Sequence, residues 1–568
     1  MSRELAWIGL SAGLLSVLAA MAYGCGQTSS GTCADNGTCA TVMEAGGDQT
    51  ADGPETASEG GSPEAGTDAA DAGDGFDGYT CDPTQLPSQD PCVINDAYGV
   101  FVSPTGRSGA AGTMADPFLR VADAIAAATG HSDRVLACAG SYDEALILGA
   151  IPGQDAGAIP ATDGGVDAAE EESFSGGVNV FGGLDCANGW KYTGAKAILA
   201  PTTRGVALTV KGLVAGLTFE DFGFHSLAGV ESGESSIAVF ASQSAAPGLL
   251  LRRCEIVAGA GQPGTDQVGT TGFDAGAPAG LPGTANSGGG TTPNACGGVA
   301  MASVGGAGGQ PAAMGTDGTD GTPGPSNKGT AIACILGAGE GNVGGRGLGG
   351  AAGTVGLGAA SWAQFDQNGW VPSAGLPGGP GGVGQGGGGG GSADTSGGGG
   401  GGGAGGCGGI GGSAGTGGGS SIAVLVYQSS VDLEQCTITV ADAGKGGNGA
   451  TGQVGQAGGA HGSGYSGSTA CAGGNGGYGG TGGGGGGGAG GLSTDVLWLG
   501  TAPTIDGSPV GEAIVSDAGG DAGTLAQSLV GSPGAAGTGG ADPDGGTNPG
   551  MSGTDGKPGT TAAVMQFQ

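Results

Sequence analysis

The segment SSIAVFASQ, at residues 235–243, recurs as SSIAVLVYQ at 420–428 and as TTAAVMQFQ at 560–568. A further stretch, STDVLWLGT at 493–501, keeps the apolar positions without the final glutamine. Each of the last three copies follows a glycine-rich stretch. One short strand is therefore reused along the chain, and this predicts a stacked β-repeat with very long loops.

The residues around these copies align with one another as well. Three segments share apolar or cysteine residues at alternate positions, broken by a two-residue polar corner: Leu217–Phe224, Leu249–Ile256 and Val431–Ile438. Residues 423–438 also align without a gap with residues 495–510, which places Trp498 and Ile505 in core columns. Recurrent columns of this kind predict parallel strands stacked about 4.8 Å apart, with matching residues in contact.

The first globular stretch has a different order of elements. A strand-like run at Tyr98–Ser103 is followed by a helical stretch at Leu119–Ala128 with one apolar face. Asp116 is the predicted N-cap of this helix, and Gly130 lies just past its end. Further short strands are predicted at residues 134–137 and 145–148.

This order resembles the pectin-lyase-like group of right-handed parallel β-helix proteins, in which a first coil reads strand, GT, PF, short helix, strand and G-x-Y. The residues that carry the resemblance are Val100–Ser103, Gly112–Thr113, Pro117–Phe118, Ala124–Ile125, Val135–Ala137 and Gly140–Tyr142. The resemblance implies an all-β fold, a right-handed parallel β-helix, in which the N-terminal helix caps the open end of the stack.

The N-terminus resembles a bacterial lipoprotein signal peptide. An apolar run at Leu5–Met21 is followed by small residues and Cys25. We therefore expect a signal peptide at 1–24, lipidation of Cys25, and a location at the bacterial outer membrane or cell surface, with ordinary secretion as the alternative. Residues 25–80 are rich in Gly, Ala, Asp, Glu and Pro and are predicted to form a disordered acidic tether.

The composition limits both the core and the partners. The 568 residues include 145 glycines, which offer no side chain to bury. The net charge of −36 comes from 50 acidic and 14 basic residues, so nucleic acid is not an expected partner. The expected partners are the membrane, through the lipid anchor, and extracellular polysaccharide or envelope components.

Glycine-rich insertions alternate with the predicted β-helix coils. We divide the chain after the tether into the N-terminal part of the β-helix at 81–258, insertions at 259–419, 444–492 and 511–559, coils at 420–443 and 493–510, and a final strand at 560–568. The tracts resemble the PGRS-type glycine-rich repeats of bacterial surface proteins in their composition and GGxGG spacing. Two interpretations stay open: disordered loops, or bundled extended helices of three residues per turn whose backbone amides bond to neighbours.

Charged residues occupy the corners of the aligned coils and are the candidate chemistry. Glu220–Asp221, Arg252–Arg253 and Glu434–Gln435 fall in one column with alternating signs. Pectate-lyase-type enzymes use acidic clusters for Ca²⁺ and a basic residue as proton acceptor, so a site is one interpretation. A structural charge ladder is the other, and it leaves no catalytic, metal or cofactor residue assigned. Asp185 is interpreted as a turn residue.

The cysteines suggest an oxidising environment. Setting Cys25 aside leaves 12 of the 13 cysteines, an even number in an exported chain. Cys81 with Cys92 is a candidate local disulfide. Cys254 and Cys436 fall in the same inward column, where a disulfide and a buried pair of free thiols are equally compatible with the spacing. The histidines His131, His225 and His461 are too scattered to predict a metal site.

The function that these patterns favour is a non-enzymatic cell-surface lipoprotein with a structural, adhesive or matrix role. A polysaccharide lyase or glycoside hydrolase on a β-helix scaffold is the first alternative, and it rests on analogy of fold. A glycine-rich surface protein that binds carbohydrate or ice is the second. No cofactor is expected.

Overall fold

The computed structural model describes residues 81–129, 132–149, 174, 176–297, 299–331, 334, 343–510, 531–541 and 549–567. The chain divides into two units, Met1–Asp77 and Gly78–Gln568, and the described residues belong to the second. The predicted signal peptide, the lipidation residue Cys25 and the predicted tether lie outside the described residues.

Strands dominate the described chain, which confirms the all-β class. In chain order the first strands are β1 (Val100–Arg107), β2 (Arg134–Cys138), β3 (Gly140–Tyr142), β4 (Leu146–Leu148), β5 (Val178–Asp185), β6 (Lys191–Ala195), β7 (Ala197–Leu199), β8 (Leu208–Lys211), β9 (Leu217–Glu220), β10 (Phe222–His225), β11 (Ser236–Ser242), β12 (Leu249–Arg252) and β13 (Glu255–Val257). They are followed by β14 (Thr292–Cys296), β15 (Val299–Gly305), β16 (Ala363–Asp366), β17 (Gly369–Pro372), β18 (Ser421–Tyr427), β19 (Val431–Glu434), β20 (Thr437–Thr439), β21 (Ser493–Leu499), β22 (Thr504–Ile505), β23 (Ser508–Pro509) and β24 (Thr561–Gln566). One α-helix, α1 (Val121–Ala128), lies in the described part.

Most strands belong to three sheets of mainly parallel strands. Sheet A has the order β1-β2-β5-β9-β12-β19-β22, with β6 and β23 antiparallel to β5 and β22. Sheet B has the order β3-β7-β10-β13-β20, and sheet C the order β4-β8-β11-β18-β21-β24. From β2 to β21 the chain enters sheets A, B and C in turn and repeats this cycle, apart from the separate hairpins β14–β15 and β16–β17. After β22 and β23 of sheet A it enters sheet C at β24 with no sheet B strand described between them. The first two glycine-rich insertions leave after a sheet B strand, whereas the third follows the β22–β23 hairpin. All three return in sheet C.

The strands stack in the register that the sequence alignment predicts for the corner columns. Leu249 of β12 pairs with Leu217 of β9 on one side and with Val431 of β19 on the other. These side chains are buried in one continuous core with the aromatic rings of Phe219 and Phe224, whose centroids are 5.4 Å apart. Burial of matching columns in successive strands supplies the main stabilisation of the three sheets.

One sequence match is wrong by a single residue. Ser493 pairs with Ser421, whereas the match of residues 493–501 to 420–428 would pair it with the preceding serine. The gapless alignment of residues 423–438 with 495–510 has the observed register and is confirmed. A one-residue shift turns every side chain of a strand to the opposite face of its sheet. In the observed register Trp498 pairs with Val426, and both side chains lie in the core between the sheets.

Sheet C is covered on its outer face by a hairpin from the first insertion. Phe365 of β16 and Trp370 of β17 pack in a second hydrophobic cluster with Ile422, Leu425 and Leu497. Sheet C is therefore apolar on both faces, and β11 is buried at every position. This explains why the recurring SSIAV segments read as continuous apolar runs rather than as simple alternation.

The predicted cap of α1 is wrong. Arg120 occupies the N-cap position and makes no side-chain cap bond, and Asp116 instead accepts a hydrogen bond from Arg107. The buried Glu144, from the loop before β4, accepts the amides of Val121 and Ala122 at 2.8 and 3.1 Å. A carboxylate distant in sequence therefore satisfies the first turn of the helix.

The glycine-rich tracts form an ordered hydrogen-bonded array, which we call the glycine bundle. Its main segments are 261–284, 344–359, 375–391, 398–419, 444–465, 471–491, 531–540 and 550–559. Within each pair of segments the backbone bonds recur at every third residue, as in Gly406 to Gly477, Gly409 to Gly480 and Gly412 to Gly483. This period identifies extended helices with three residues per turn. Of the two interpretations of the tracts, the bundled helices therefore describe these segments.

Segment 471–491 lies at the centre of the bundle. It donates amides to segments 444–465, 375–391 and 550–559, and it accepts amides from segments 398–419, 344–359 and 531–540. All three faces of its turns therefore point at a neighbouring backbone, and Gly482–Gly488 is an unbroken glycine run. The outer segment 344–359 instead has tightly packed glycines at every third position from Gly344 to Gly356, and most of its other positions carry side chains; Gly345, Gly349 and Gly358 are the exceptions. A segment that is hydrogen-bonded to more neighbouring segments therefore has more glycines in each three-residue turn.

Candidate functional site

The charged corners lie where sheet A turns into sheet B. Glu220, Arg252 and Glu434 end successive strands of sheet A and pair directly with one another in the backbone register. The residue after each of them has a left-handed backbone: Asp221, Arg253 and Gln435, with φ of 57°, 50° and 53°. Asp506, which directly follows β22, is also left-handed, with φ of 48°. The repeated left-handed residue makes the tight corner and stacks the charged side chains above one another.

The two arginines neutralise the carboxylates around them. Arg252 contacts Glu434 at 2.6 Å, from Nε to Oε2, and Glu220 at 3.3 Å, from Nη1 to Oε2. Arg253 contacts Asp221 at 2.8 Å, from Nη2 to Oδ2, and it also bonds Glu220. Glu220 and Asp221 are each only 2% exposed, so the corner is a buried ion network.

Two further members of the network come from the β6–β7 region. Lys196 Nζ lies 2.8 Å from Asp221 Oδ1, and the Tyr192 hydroxyl donates to Asp221 Oδ2 at 2.8 Å. Sequence reasoning missed both residues, because the antiparallel strand β6 breaks the repeat that guided the alignment. The sequence provides no periodic signal for this excursion.

The electrostatics of Asp221 follow from these contacts. Burial acts to raise the pKa of its carboxyl group, but the hydrogen bonds from Arg253, Lys196 and Tyr192 outweigh burial, so the pKa lies below its ordinary value. The pKa of Arg253 is correspondingly raised, chiefly by its bond to Asp221. The network therefore holds its charges in ion pairs, and Asp221 is stabilised as a carboxylate rather than as a proton donor.

The other single residues predicted from sequence have local roles. Asp185 caps the short 3-10 helix Cys186–Asn188 and accepts the Asn188 side-chain amide at 2.6 Å, as expected for a turn residue. His225 Nε2 lies 3.4 Å from Glu255 Oε1, and His461 Nδ1 forms a hydrogen bond of 2.7 Å with Asn475 Oδ1. His131 lies outside the described residues. Within the described ranges no group of three or more His, Cys, Asp or Glu side chains is arranged to hold a metal ion.

Eight described cysteines form four disulfides. Their pairs are Cys81–Cys92, Cys138–Cys186, Cys296–Cys407 and Cys334–Cys471. The last two each tie one segment of the glycine bundle, at Cys407 or Cys471, to a part of the first insertion outside the bundle segments, and they close loops of 111 and 137 residues. Closing such long loops restricts the unfolded chain and favours the ordered bundle.

Cys254 and Cys436 are thiols in this structure. They occupy the same place in successive turns, directly after the left-handed corner residue, and the Thr437 amide donates to the Cys254 carbonyl at 2.8 Å. Cys254 is buried, whereas Cys436 is partly exposed. Of the two arrangements compatible with the spacing, the structure therefore contains the thiol pair.

Asp495 in β21 is partly buried beside the core, and within the described part of the chain it forms no ion pair. The pairing of the residues on either side places it beside Ala423 and Ala563, both of which pack in or against the core cluster. No hydrogen bond to its carboxylate is found among the described residues. Burial raises the pKa of Asp495 to about 6. Sequence reasoning missed this residue because its column is otherwise alanine.

We expect Asp495→Asn to stabilise the domain at pH 8 by about 2 kcal/mol and to have little effect at pH 4. The folded pKa lies above the unfolded value, so the contribution of Asp495 is complete below the unfolded pKa and is lost as pH rises through about 6. Urea unfolding of both proteins from pH 4 to 8 measures the difference. Asp274→Asn, at an exposed position of segment 261–284, is the control. An equal gain in stability of Asp495→Asn at pH 4 and at pH 8 would exclude this cause.

The outer edges of the glycine bundle are closed by side chains. Asp266 accepts the amide of Asn448, and the Asn448 side chain in turn accepts the amide of Ala535. The backbone amides of Gly386, Gly389 and Ser392 donate to the segment 316–322. Two and three steps of this period before Gly386 the chain carries Pro380 and Pro377, which have no N–H group. The bundle thus limits unpaired amides at its surface, as natural sheets do at their edges.

The comparisons with known proteins assign no family. No family model matches the chain, and no match is found among curated proteins or solved structures. Within the described ranges no helix has the length and apolarity needed to cross a membrane. The functional argument therefore rests on the geometry above.

Proposed function

We propose that this protein is a non-enzymatic, lipid-anchored surface protein of bacteria whose β-helix carries a rigid glycine bundle for a structural, adhesive or matrix role. In this proposal the three sheets are the walls of a right-handed parallel β-helix. The repeated visit to sheets A, B and C, in register, supports that architecture. The N-terminal signal and Cys25 supply the anchor, and residues 25–80 supply the tether.

The observation that carries the proposal is the hydrogen-bonded order of the glycine bundle. A disordered tract would act as a spacer, but a bundle with a period of three presents side chains at fixed positions on its outer segments. On segment 444–465, Lys445, Asn448 and Thr451 follow one another at this period and are exposed or partly exposed. Such a surface suits repeated weak contacts with an extended polymer or with neighbouring envelope components.

The charged corner supports a structural role over the enzymatic alternative. A lyase or hydrolase needs a carboxylate or base free to reach the substrate. Glu220 and Asp221 are buried, and both are held by Arg253. The glycine bundle could present its side chains to carbohydrate or to ice, and this would give the proposed surface role a specific ligand.

Cys25→Ala is expected to release the protein from the membrane fraction into the medium. The thiol of Cys25 takes the lipid in this proposal, and without it the acidic chain has no attachment. Fractionation and immunoblotting of producing cells measure the distribution. Cys33→Ala, which removes a neighbouring cysteine, is the control and should remain membrane-bound. If Cys25→Ala stays with the membrane as fully as Cys33→Ala, the lipid-anchor proposal fails.

A further inference from the structure

Cys254 and Cys436 differ from the other described cysteines, all of which are in disulfides. The paired strands on both sides hold the two residues in neighbouring turns. Arg252 pairs with Glu434 before them, and Glu255 pairs with Thr437 after them. Parallel strands lie about 4.8 Å apart, which is inside the range of Cα separations that a disulfide spans.

The two sulfur atoms have different surroundings. Cys254 is 2% exposed, and its Sγ lies 3.5 Å from the Phe219 carbonyl and 3.4 Å from the Arg252 carbonyl. Cys436 is partly exposed, and its Sγ lies 3.3 Å from the Leu251 carbonyl. The Cys254 thiol hydrogen-bonds the Cys436 sulfur, which lowers the pKa of Cys436, and burial raises the pKa of Cys254. Cys436 is therefore the more acidic thiol of the pair, and Cys254 the less acidic one.

A shallow depression beside the charged corner reaches the pair at Cys254, and Cys436 is partly exposed without belonging to its lining. Its lining consists of Cys254 together with Lys196, Arg253, Glu255, Gln435 and Thr437. Lys196 and Arg253 in this lining are paired with Asp221 and Glu220, and the carboxylate of Glu255 lies in the same lining.

We propose that Cys254 and Cys436 form a thiol–disulfide exchange site that reacts with small disulfides of the oxidised glutathione type and closes into a disulfide between neighbouring turns. The Cys436 thiolate attacks one sulfur of the small disulfide, whose S–S bond breaks and releases one thiolate, which takes up a proton from solvent. Cys254 then loses its proton to solvent and attacks the Cys436 sulfur, and the second small thiol is released. Two protein thiols are oxidised, and one disulfide is reduced to two thiols.

The new bond would join the two turns between which the longest glycine-rich insertion leaves and returns. Cys254 precedes that insertion, and Cys436 follows the strand β19 that comes after it. Closure would lock the base of the glycine bundle on the sheets, so the redox state of the surroundings would control how firmly the bundle is held.

The test uses the purified full chain and oxidised glutathione, followed by alkylation and peptide mass spectrometry. Wild-type protein should yield a Cys254–Cys436 cross-linked peptide. Cys254→Ser should stop at a glutathione adduct on Cys436, and Cys436→Ser should leave Cys254 at least about tenfold less reactive than Cys436 in the wild type. If the pair is already closed on isolation, reduced glutathione should reopen it before the other four disulfides.

Three results would overturn the proposal. The first is full alkylation of both thiols after prolonged exposure to oxidised glutathione. The second is equal reactivity of Cys254 in Cys436→Ser and of Cys436 in the wild type. The third is a closed pair that resists reduction as long as Cys81–Cys92 does. Because serine replaces one atom of each side chain, circular dichroism of the variants shows whether a lost reaction reflects lost folding.

Discussion

Gly476→Ala is expected to destabilise the glycine bundle by at least about 3 kcal/mol, an overpacking effect at the upper end of those known. A Cβ atom at this position would lie 1.9 Å from the carbonyl oxygen of Ala404, in the neighbouring segment. That segment is itself enclosed by others and has little freedom to move. Its displacement would also lengthen the Gly476 amide bond to Gly459, now 2.8 Å. Thermal unfolding and limited proteolysis of the bundle measure the effect.

Gly349→Ala is the matched control for this change. Its Cβ would meet nothing closer than the Tyr478 carbonyl oxygen at 3.8 Å. The same substitution should therefore be neutral or stabilising by up to about 1 kcal/mol, because alanine restricts the unfolded chain. Equal stability of the two variants would mean that the interior segments are not packed as described.

Arg253→Met is expected to destabilise the sheet domain by about 3 kcal/mol at neutral pH. The change keeps much of the side-chain volume but leaves Glu220 and Asp221 buried with fewer cations. The deficit should shrink on acidification. The folded pKa of Asp221 is lowered, so its stabilising contribution is present above the unfolded value of about 3.9 and is lost as pH falls through the folded pKa.

Denaturant unfolding of wild type and variant at pH 7 and at pH 3 measures both expectations. Arg204→Met removes an exposed arginine that pairs with Glu234 at 3.0 Å, and it should cost no more than about 1 kcal/mol. A loss in Arg253→Met no larger than in Arg204→Met would show that the corner network contributes no more than a surface ion pair.

The columns of sheets A, B and C were predictable because side chains that contact one another in neighbouring turns recur as apolar residues at matching positions in the sequence. Leu217, Leu249 and Val431 occupy matching positions in the aligned segments, and in the structure Leu249 pairs with each of the other two. The prediction from sequence failed where a packed element does not belong to the repeat. The hairpin that carries Phe365 and Trp370 packs on sheet C from within a glycine-rich insertion, and no repeat marks it.

The glycine bundle was predictable as one alternative, but the sequence did not decide between order and disorder. A hydrogen bond between backbones leaves no side-chain signature, so only the spacing of the tolerated residues carries information. That signal exists in segment 344–359, where the closely packed Gly344, Gly347 and Gly350 recur at a period of three. The charge ladder was half predicted: its corner residues were identified, but Lys196 and Tyr192 reach Asp221 from an excursion outside the repeat.

Native-state amide hydrogen exchange of residues 471–491 is the most direct test of the central claim that the glycine-rich tracts form an ordered bundle. Each amide that donates to a neighbouring segment, such as Gly476, Gly477 and Gly479, should exchange at least about a hundredfold more slowly than in a free peptide of the same sequence. Exchange at the rate of the free peptide throughout this segment would contradict the bundle, and with it the proposal that this protein displays a rigid glycine-rich surface.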